Sequence, residues 1–498
     1  MTRRAGPDMA PEEFRRLGHQ LVDRIAAHMS RMPEGPVKPD ESGAAVRSAL
    51  KAERGLPESG ADAGALLEKA ANLLFDHSLF NGHPRFFGYI TSSPAPIGVL
   101  GDLLASAVNQ NCGSWNLSPM ATEIEAQTVR WIAELVGFTG SGAAADPGGL
   151  LVSGGNMANF VGVLAARTAR AGWDIRKTGI GGSQSRLLIY ASAETHTWIQ
   201  KAADLFGFGT DAIRWIAVDG RQRMKTAGLR RQIEADRERG DRPFLVVGTA
   251  GSVSTGAVDP LPEIGAICRE HDLWFHVDGA YGAFAAAVPG APADLAGLAE
   301  ADSVAVDPHK WLYAPIEAGC ALVKRAGDLR NAFSYHPPYY RFSEESLNFV
   351  DYGMQNSRGF RALKVWLALQ QLGHAGYVES IGEDMRLSRK LFELIEKHPE
   401  IEALTQNLSI ATFRYVPPEL RAQVGDPAIE TSLKRLNEDV LARLEKSGRA
   451  FLSNAVIDGK YAMRACIVNF RTSDADIEAL PDIVATLGRE CFTALLKS

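Results

Sequence analysis

Seven short apolar runs recur between residues 150 and 323, and their spacing constrains the fold more than any other feature of the chain. They occupy 150–152, 187–190, 215–218, 244–247, 273–277, 303–306 and 320–323. Each is strand-length, and most are separated by segments long enough for a helix. Strands that are apolar along their whole length, rather than at alternate positions, are covered on both faces. The pattern predicts an α/β fold with a mostly parallel sheet between layers of helices. In such sheets ligands sit beyond the carboxyl ends of the strands, so residues just after each run are the place to look for chemistry.

The flanks differ. Residues 11–32 place Phe14, Leu17, Leu21, Ile25 and Met29 on one side of a helix, which Pro33, Gly35, Pro36 and Pro39 end. A second helix over 64–75 carries Leu66, Leu67, Ala70 and Leu74. This arm is too small to hold a core of its own, and a partner subunit is the surface expected to cover it. Beyond about residue 370, helices alternate with weaker strands at 409–415 and 462–470, as in a small α+β domain. The expected organisation is an N-terminal helical arm over 1–95, a large domain over 96–370 and a small C-terminal domain over 371–498. A chain of 498 residues is too long for one simple core.

Composition excludes several classes of function. The net charge is −6 with no basic stripe, which argues against nucleic acid and anionic membranes as partners. No long apolar stretch predicts a spanning helix or a signal peptide. The five cysteines, Cys112, Cys268, Cys320, Cys466 and Cys491, are scattered without a CxxC pair. They read as reduced thiols of a cytoplasmic protein and support no metal site.

Asp278 ends the run at 273–277, and Lys310 follows the run at 303–306 within Asp307-Pro308-His309-Lys310-Trp311. An amine and a carboxylate at neighbouring strand ends are what pyridoxal 5′-phosphate (PLP) requires: one forms a Schiff base, the other keeps the pyridine nitrogen protonated. Ser153-Gly154-Gly155-Asn156 follows the first run and opens a helix, where glycines admit an anion to backbone N–H groups. A serine hydrolase built on Ser153 or Ser252 lacks the G-x-S-x-G elbow.

The sequences around Asp278 and Lys310 closely resemble the group II PLP-dependent amino-acid decarboxylases, and the resemblance runs from Glu13-Phe14-Arg15-Arg16 to about Ser473. It implies PLP fold type I with a seven-stranded sheet, and a homodimer with active sites at the subunit interface. It implies that Lys310 holds the cofactor, that Asp278 meets the ring nitrogen, and that His196 stacks on the ring opposite Ala280. Gly154, Gly155, Asn156, His309 and Asp307 are the implied phosphate cradle. Tyr339, in Pro337-Pro338-Tyr339-Tyr340, aligns with the tyrosine that reprotonates Cα, within a loop over 330–345 expected to act as a lid. Family members also place a hydroxyl after the fourth run. Val253 stands at the aligned position, leaving Ser252 and Ser254 as alternatives. Tyr89 and Trp115 match substrate-pocket positions, and Arg464 is either a ligand for the substrate carboxylate or a structural ion-pair member. The implied reaction is decarboxylation of an L-amino acid, with an aromatic side chain as the leading expectation. The alternatives are an oxidative aldehyde synthase and a decarboxylase of glutamate or diaminobutyrate.

Overall fold

All seven apolar runs form strands of one sheet in the computed structural model, which describes residues 8–138, 148–336 and 346–497. The strands are β1 (Gly148–Val152), β2 (Leu187–Ser192), β3 (Ile213–Ile216), β4 (Arg242–Thr249), β5 (Trp274–Asp278), β6 (Ser303–Val306) and β7 (Gly319–Val323). Their order is β1-β7-β6-β5-β4-β2-β3. Only β7 runs against its neighbours, and the other pairings are parallel. Because β7 is antiparallel to both β1 and β6, β1 points the same way as β2 to β6. The carboxyl ends of β1, β2, β4, β5 and β6 therefore share one edge of the sheet. The inner strands are buried along nearly their whole length, as parallel strands covered on both faces must be.

β3 starts two residues before the expected run. It is the edge strand, with Trp215 exposed and Arg214 turned to the Asp236 carboxylate at 3.1 Å. At an edge, apolar character does not mark the paired residues as it does inside the sheet.

A second sheet contains β8 (Ile401–Asn407), β9 (Ile410–Tyr415), β10 (Ser453–Ile457) and β11 (Lys460–Cys466), in the order β10-β11-β9-β8 and antiparallel throughout. The inner pair, β9 and β11, coincides with the expected strands. The edges β8 and β10 were not expected, because β8 is polar and β10 is buried only at alternate positions. Asp458 and Gly459, at φ of 48° and 80°, make the two-residue turn between β10 and β11. An Asp-Gly pair is a hairpin signal in its own right. The chain leaves this sheet after Cys466, so the expected strand over 462–470 ends early.

The helix Ala362–Lys397 links the two sheets and is broken at Gly373, whose φ is 66°. Its Tyr377, Ile381 and Met385 join the core of the first sheet, while Leu387, Leu391 and Ile395 join that of the second. The expected loop over 330–345 begins inside a helix, Ala326–Phe333. Its later part lies outside the described residues.

The N-terminal helices Pro11–Arg31 and Ala63–Asp76 form where their periodicity predicts, with a further short helix, Gly43–Leu50, capped by the Ser42 side chain. Together they bury only Leu17 and Ala71 and leave Phe14, Leu66 and Leu74 exposed. The helix Pro96–Val108 likewise exposes Leu100, Leu103, Leu104 and Val108. No described helix is long and apolar enough to cross a membrane.

Candidate active site

The turn after β1 is built to admit something other than a side chain. Gly154 adopts φ of 107°, a region that side chains rarely enter. A Cβ on Gly155 would lie 2.6 Å from Asp307 Oδ2. These glycines open the helix Gly155–Arg170, whose first N–H groups lack intrahelical partners and favour negative charge. His309 borders the same turn. Its Nδ1–H donates to the Ala318 carbonyl at 2.7 Å, which directs Nε2 away from that contact. The Ser92 hydroxyl donates to the His309 carbonyl at 2.9 Å.

Lys310 and Asp307 belong to the turn after β6. Lys310 Nζ stands 3.1 Å from Asp307 Oδ2, and the Asp307 carboxylate is buried. An acceptor-only carboxylate in this position suits the lysine ammonium and repels an anion. Asp307, expected in the phosphate cradle, lines the same cavity beside Gly155 with its charge turned to Lys310.

Asp278 ends β5, in register with Thr249 of β4 and Ala305 of β6. Trp198 Nε1–H donates to Asp278 Oδ2 at 2.7 Å, and the Ala280 N–H donates to Oδ1 at 3.2 Å. His196 lies at the cavity rim, exposed in the single chain. Partial desolvation still lowers its pKa, against the pull of the Asp278 charge. Its Nδ1 accepts the backbone N–H of Trp198 at 3.3 Å, so the neutral ring carries its proton on Nε2.

Below this surface runs a directed chain of hydrogen bonds. The Trp274 indole donates to Ser303 Oγ at 2.8 Å, and the Ser303 hydroxyl meets His276 Nδ1 at 2.7 Å. His276 Nε2 meets Asn159 Oδ1 at 2.7 Å, and Asn159 Nδ2 donates to the Gly155 carbonyl at 2.8 Å. Burial pushes the His276 pKa down, so the imidazole is neutral, as a ring that both donates and accepts must be. The chain ties the glycine turn to β5 and β6 across the sheet.

These groups surround one cavity of about 290 Å³. It brings together Gly154, Gly155, Asn156, His196, Asp278, Ala280, Asp307, His309 and Lys310. Tyr89, Trp115 and Arg464 do not line it. Tyr89 is exposed at φ of 51°, its N–H donating to Ser453 Oγ at 2.6 Å. Trp115 is held by Glu123, at 3.0 Å from its indole nitrogen, and by Asn348. Arg464 is buried behind the cavity wall, donating to the carbonyl of Val253, and has no ion pair among the described residues. The structural ion pair allowed for Arg464 is thus replaced by a carbonyl contact. Tyr339 lies outside the described residues.

Several lining residues carry no signal in the sequence, among them Trp198, Asn159 and Thr249. The expected hydroxyl is not that of Ser252, which is buried against Thr255 Oγ1 at 3.0 Å, and Ser254 does not line the cavity. Thr249 lines the cavity, and its Oγ1 is buried without a protein partner among the described residues. The opposed register of Thr249 and Asp278 was the available signal, and it requires knowing which strands pair.

The donor set fits a phosphorylated pyridine aldehyde on its own terms. A helix N-terminus without side chains in its turn suits a phosphate, a lysine amine suits an aldehyde, and a buried carboxylate suits a pyridine nitrogen. The partnerless Thr249 hydroxyl and Asp307 Oδ1 are buried polar atoms of two residues that line the same cavity. Such a site at the carboxyl edge of this sheet defines a PLP-dependent enzyme of fold type I.

The chain belongs to the pyridoxal-dependent decarboxylase family, whose conserved domain matches residues 48–416. It is 32% identical over 487 residues to the aromatic-L-amino-acid decarboxylase of Bacillus atrophaeus, spanning 97% of each protein. The acidic amino acid decarboxylase of Homo sapiens is 30% identical over 440 residues, which span 87% of this chain and 83% of that one. The crystal structure of mouse CSAD superposes with a TM-score of 0.90 at 26% identity, covering 96% of this chain and 99% of that one. PLP is the cofactor, and the reaction is decarboxylation of an amino acid.

Proposed function

We propose that the chain decarboxylates an L-amino acid with an aromatic side chain, as a homodimer in a reducing compartment such as the cytoplasm. The observation that carries the substrate class is the cavity wall. Ile90, Val253 and Ala280 are aliphatic members of that wall, Trp198 and Tyr281 aromatic ones, and among the described residues Lys310 is its only lysine or arginine. Lys310 would be engaged with the cofactor, and the guanidinium of Arg464, behind the wall, is turned to the carbonyl of Val253. A side-chain carboxylate on the substrate would be desolvated there without a counter-charge. The extent of identity to the Bacillus atrophaeus enzyme supports the same reading.

The residues divide the work by position. Gly154, Gly155, Asn156 and His309 would hold the cofactor phosphate, Lys310 its aldehyde carbon and Asp278 its ring nitrogen. Bound there, PLP supplies an electron-withdrawing ring that accepts the electron pair left at Cα as CO2 departs. Asp278 keeps the ring-nitrogen proton in place, which is the condition for that acceptance. Asp307 would keep the Lys310 amine oriented and charged while it is not bonded to the cofactor. His196, neutral and protonated on Nε2, covers the exposed side of the cavity and can donate that proton to a carboxylate. Tyr339 is assigned the return of a proton to Cα on the resemblance to the family.

The dimer is supported by the uncovered leucines of the arm and of helix Pro96–Val108. The compartment is supported by five cysteines that are all buried and unbonded. The test is CO2 release from a panel of L-amino acids by PLP-loaded protein, with oxygen uptake followed in the same vessel. Tyrosine, dopa, tryptophan or phenylalanine should release CO2 without oxygen uptake. Faster turnover of glutamate or diaminobutyrate would overturn the substrate class, and oxygen uptake matching CO2 would make the protein an aldehyde synthase.

A further inference from the structure

We propose that Trp198 is a positioning residue that locks both sides of the cofactor site through one residue: its indole N–H fixes the Asp278 carboxylate, and its backbone N–H fixes the His196 ring. The inference rests on the reading that Asp278 meets the cofactor ring nitrogen.

Trp198 opens the helix Trp198–Leu205 directly after the loop that carries His196, and it is buried at 1% exposure. Its two N–H groups point to two different parts of the site. The indole reaches Asp278 Oδ2 at 2.7 Å, the short distance expected when the acceptor is charged. The backbone reaches His196 Nδ1 at 3.3 Å. Asp278 Oδ1 is left with the longer contact from Ala280, 3.2 Å, and is the oxygen free to serve the cofactor.

The indole is itself immobilised. It stands edge-on to the His276 ring, with centroids 5.8 Å apart and planes at 82°. His276 in turn is held at both nitrogens, by Ser303 and Asn159. A rotation of Trp198 would have to disturb that buried chain, which ends on the glycine turn. The carboxylate, the imidazole and the glycine turn are thereby referred to a common frame.

Residue type matters here. An indole N–H donates and cannot accept, so it supports the charged carboxylate and never competes for the proton that Asp278 keeps on the ring nitrogen. A serine, tyrosine or histidine in its place could turn and accept. Phenylalanine would retain an aromatic edge for His276 but leave Oδ2 buried without its donor.

The experiment uses the PLP-loaded protein with Trp198→Phe, and with benzothienylalanine replacing Trp198, which keeps the bicyclic shape and puts sulfur where the N–H was. The expected result is a kcat lowered roughly tenfold with KM little changed, as the loss of one hydrogen bond to a charged group implies. The pH midpoint of the cofactor absorbance band should move with it. The cofactor-free benzothienylalanine protein should melt within about 2 °C of the parent, because its shape is kept. An unchanged band midpoint and unchanged kcat in both variants would overturn the proposal. So would a large fall in melting temperature with an unchanged band midpoint, which marks a packing role alone. Asp278→Asn, measured in parallel, separates the two levels. If it shifts the band while the Trp198 variants do not, only the Trp198 inference fails. If it too leaves the band and turnover unchanged, the placement of the ring nitrogen at Asp278 fails, and the inference with it.

Discussion

The two halves of the site are held to very different degrees. On the cofactor side, the carboxylate, the lysine and the glycine turn each sit at a strand end or in the first turn of a helix, and each has a buried neighbour that fixes it. Asp278 has Trp198, the glycine turn has Asn159, and Lys310 has Asp307. Of the residues expected on the substrate side, Tyr89 sits in a turn and Trp115 opens a single 3-10 turn, both outside the cavity. One chain is enough to specify the cofactor chemistry. The substrate side is where the proposed second subunit would add to the cavity wall, over the uncovered leucines of the arm and of helix Pro96–Val108.

The largest effect should come from the cofactor half. Lys310→Ala should abolish the cofactor absorbance band that reports the covalent link and lower kcat by at least about a thousandfold, since no other lysine lines the cavity among the described residues. Measurable turnover at the parental rate would remove the basis of the comparison altogether. The next effect addresses the other half. Leu104→Glu places a charge on the exposed face of helix Pro96–Val108, where it should not disturb folding. It should convert the dimer to a monomer in light scattering and lower kcat/KM by roughly a hundredfold, while the cofactor band persists, because charges are poorly tolerated in the core of an interface. A fully active monomer would show that the substrate wall is complete in one chain. A third variant, Gly155→Ala, sharpens the cofactor side alone. Its Cβ would meet Asp307 Oδ2 at 2.6 Å, so PLP affinity should fall by about tenfold from local strain at the turn. Equilibrium binding to the cofactor-free protein measures it, and unaltered affinity would show that the turn has slack.

This division also explains what the sequence could tell. The seven strands were legible because buried parallel strands are apolar throughout, and the edges β8 and β10 were not because half their side chains meet solvent. Lys310, Asp278 and the Gly154-Gly155 turn were legible because their chemistry requires those residue types directly after strands. Trp198, Asn159 and Thr249 carry no such mark. Their roles follow from contacts between elements far apart in sequence: an indole reaching across to β5, a helical residue one turn below Gly155, and a threonine placed opposite Asp278 by register. Arg464 shows the converse. Its residue type fits a carboxylate ligand, but the strand it sits on turns it towards a backbone carbonyl.

The smallest predicted effect concerns the joint between the lysine turn and the second domain. Asp384, on the helix that links the sheets, accepts from Trp311 Nε1 at 2.9 Å and from the Tyr313 hydroxyl at 2.8 Å. The donors lie one and three residues after Lys310 in the chain. Burial pushes the Asp384 pKa up to about 7, against the hydrogen bonds from Tyr313, Trp311 and the backbone of Asn469. A carboxyl group whose folded pKa is raised binds its proton more tightly in the folded state. Its contribution is therefore most favourable below the unfolded value near 4 and is lost as pH rises through 7. Asp384→Asn keeps an oxygen for Trp311 and Tyr313 but cannot ionise. Its amide group would face the Asn469 N–H, which adds a cost that does not depend on pH. The slope is therefore the quantity to compare. Between pH 6 and pH 8 the parent should lose roughly 1 kcal/mol of stability relative to Asp384→Asn, by denaturant titration at each pH. Parallel slopes would mean that Asp384 stays charged throughout and that the joint behind Lys310 carries a fixed negative charge. In that case the cofactor side would be held by charge as well as by packing, and the contrast with the substrate side would be sharper still.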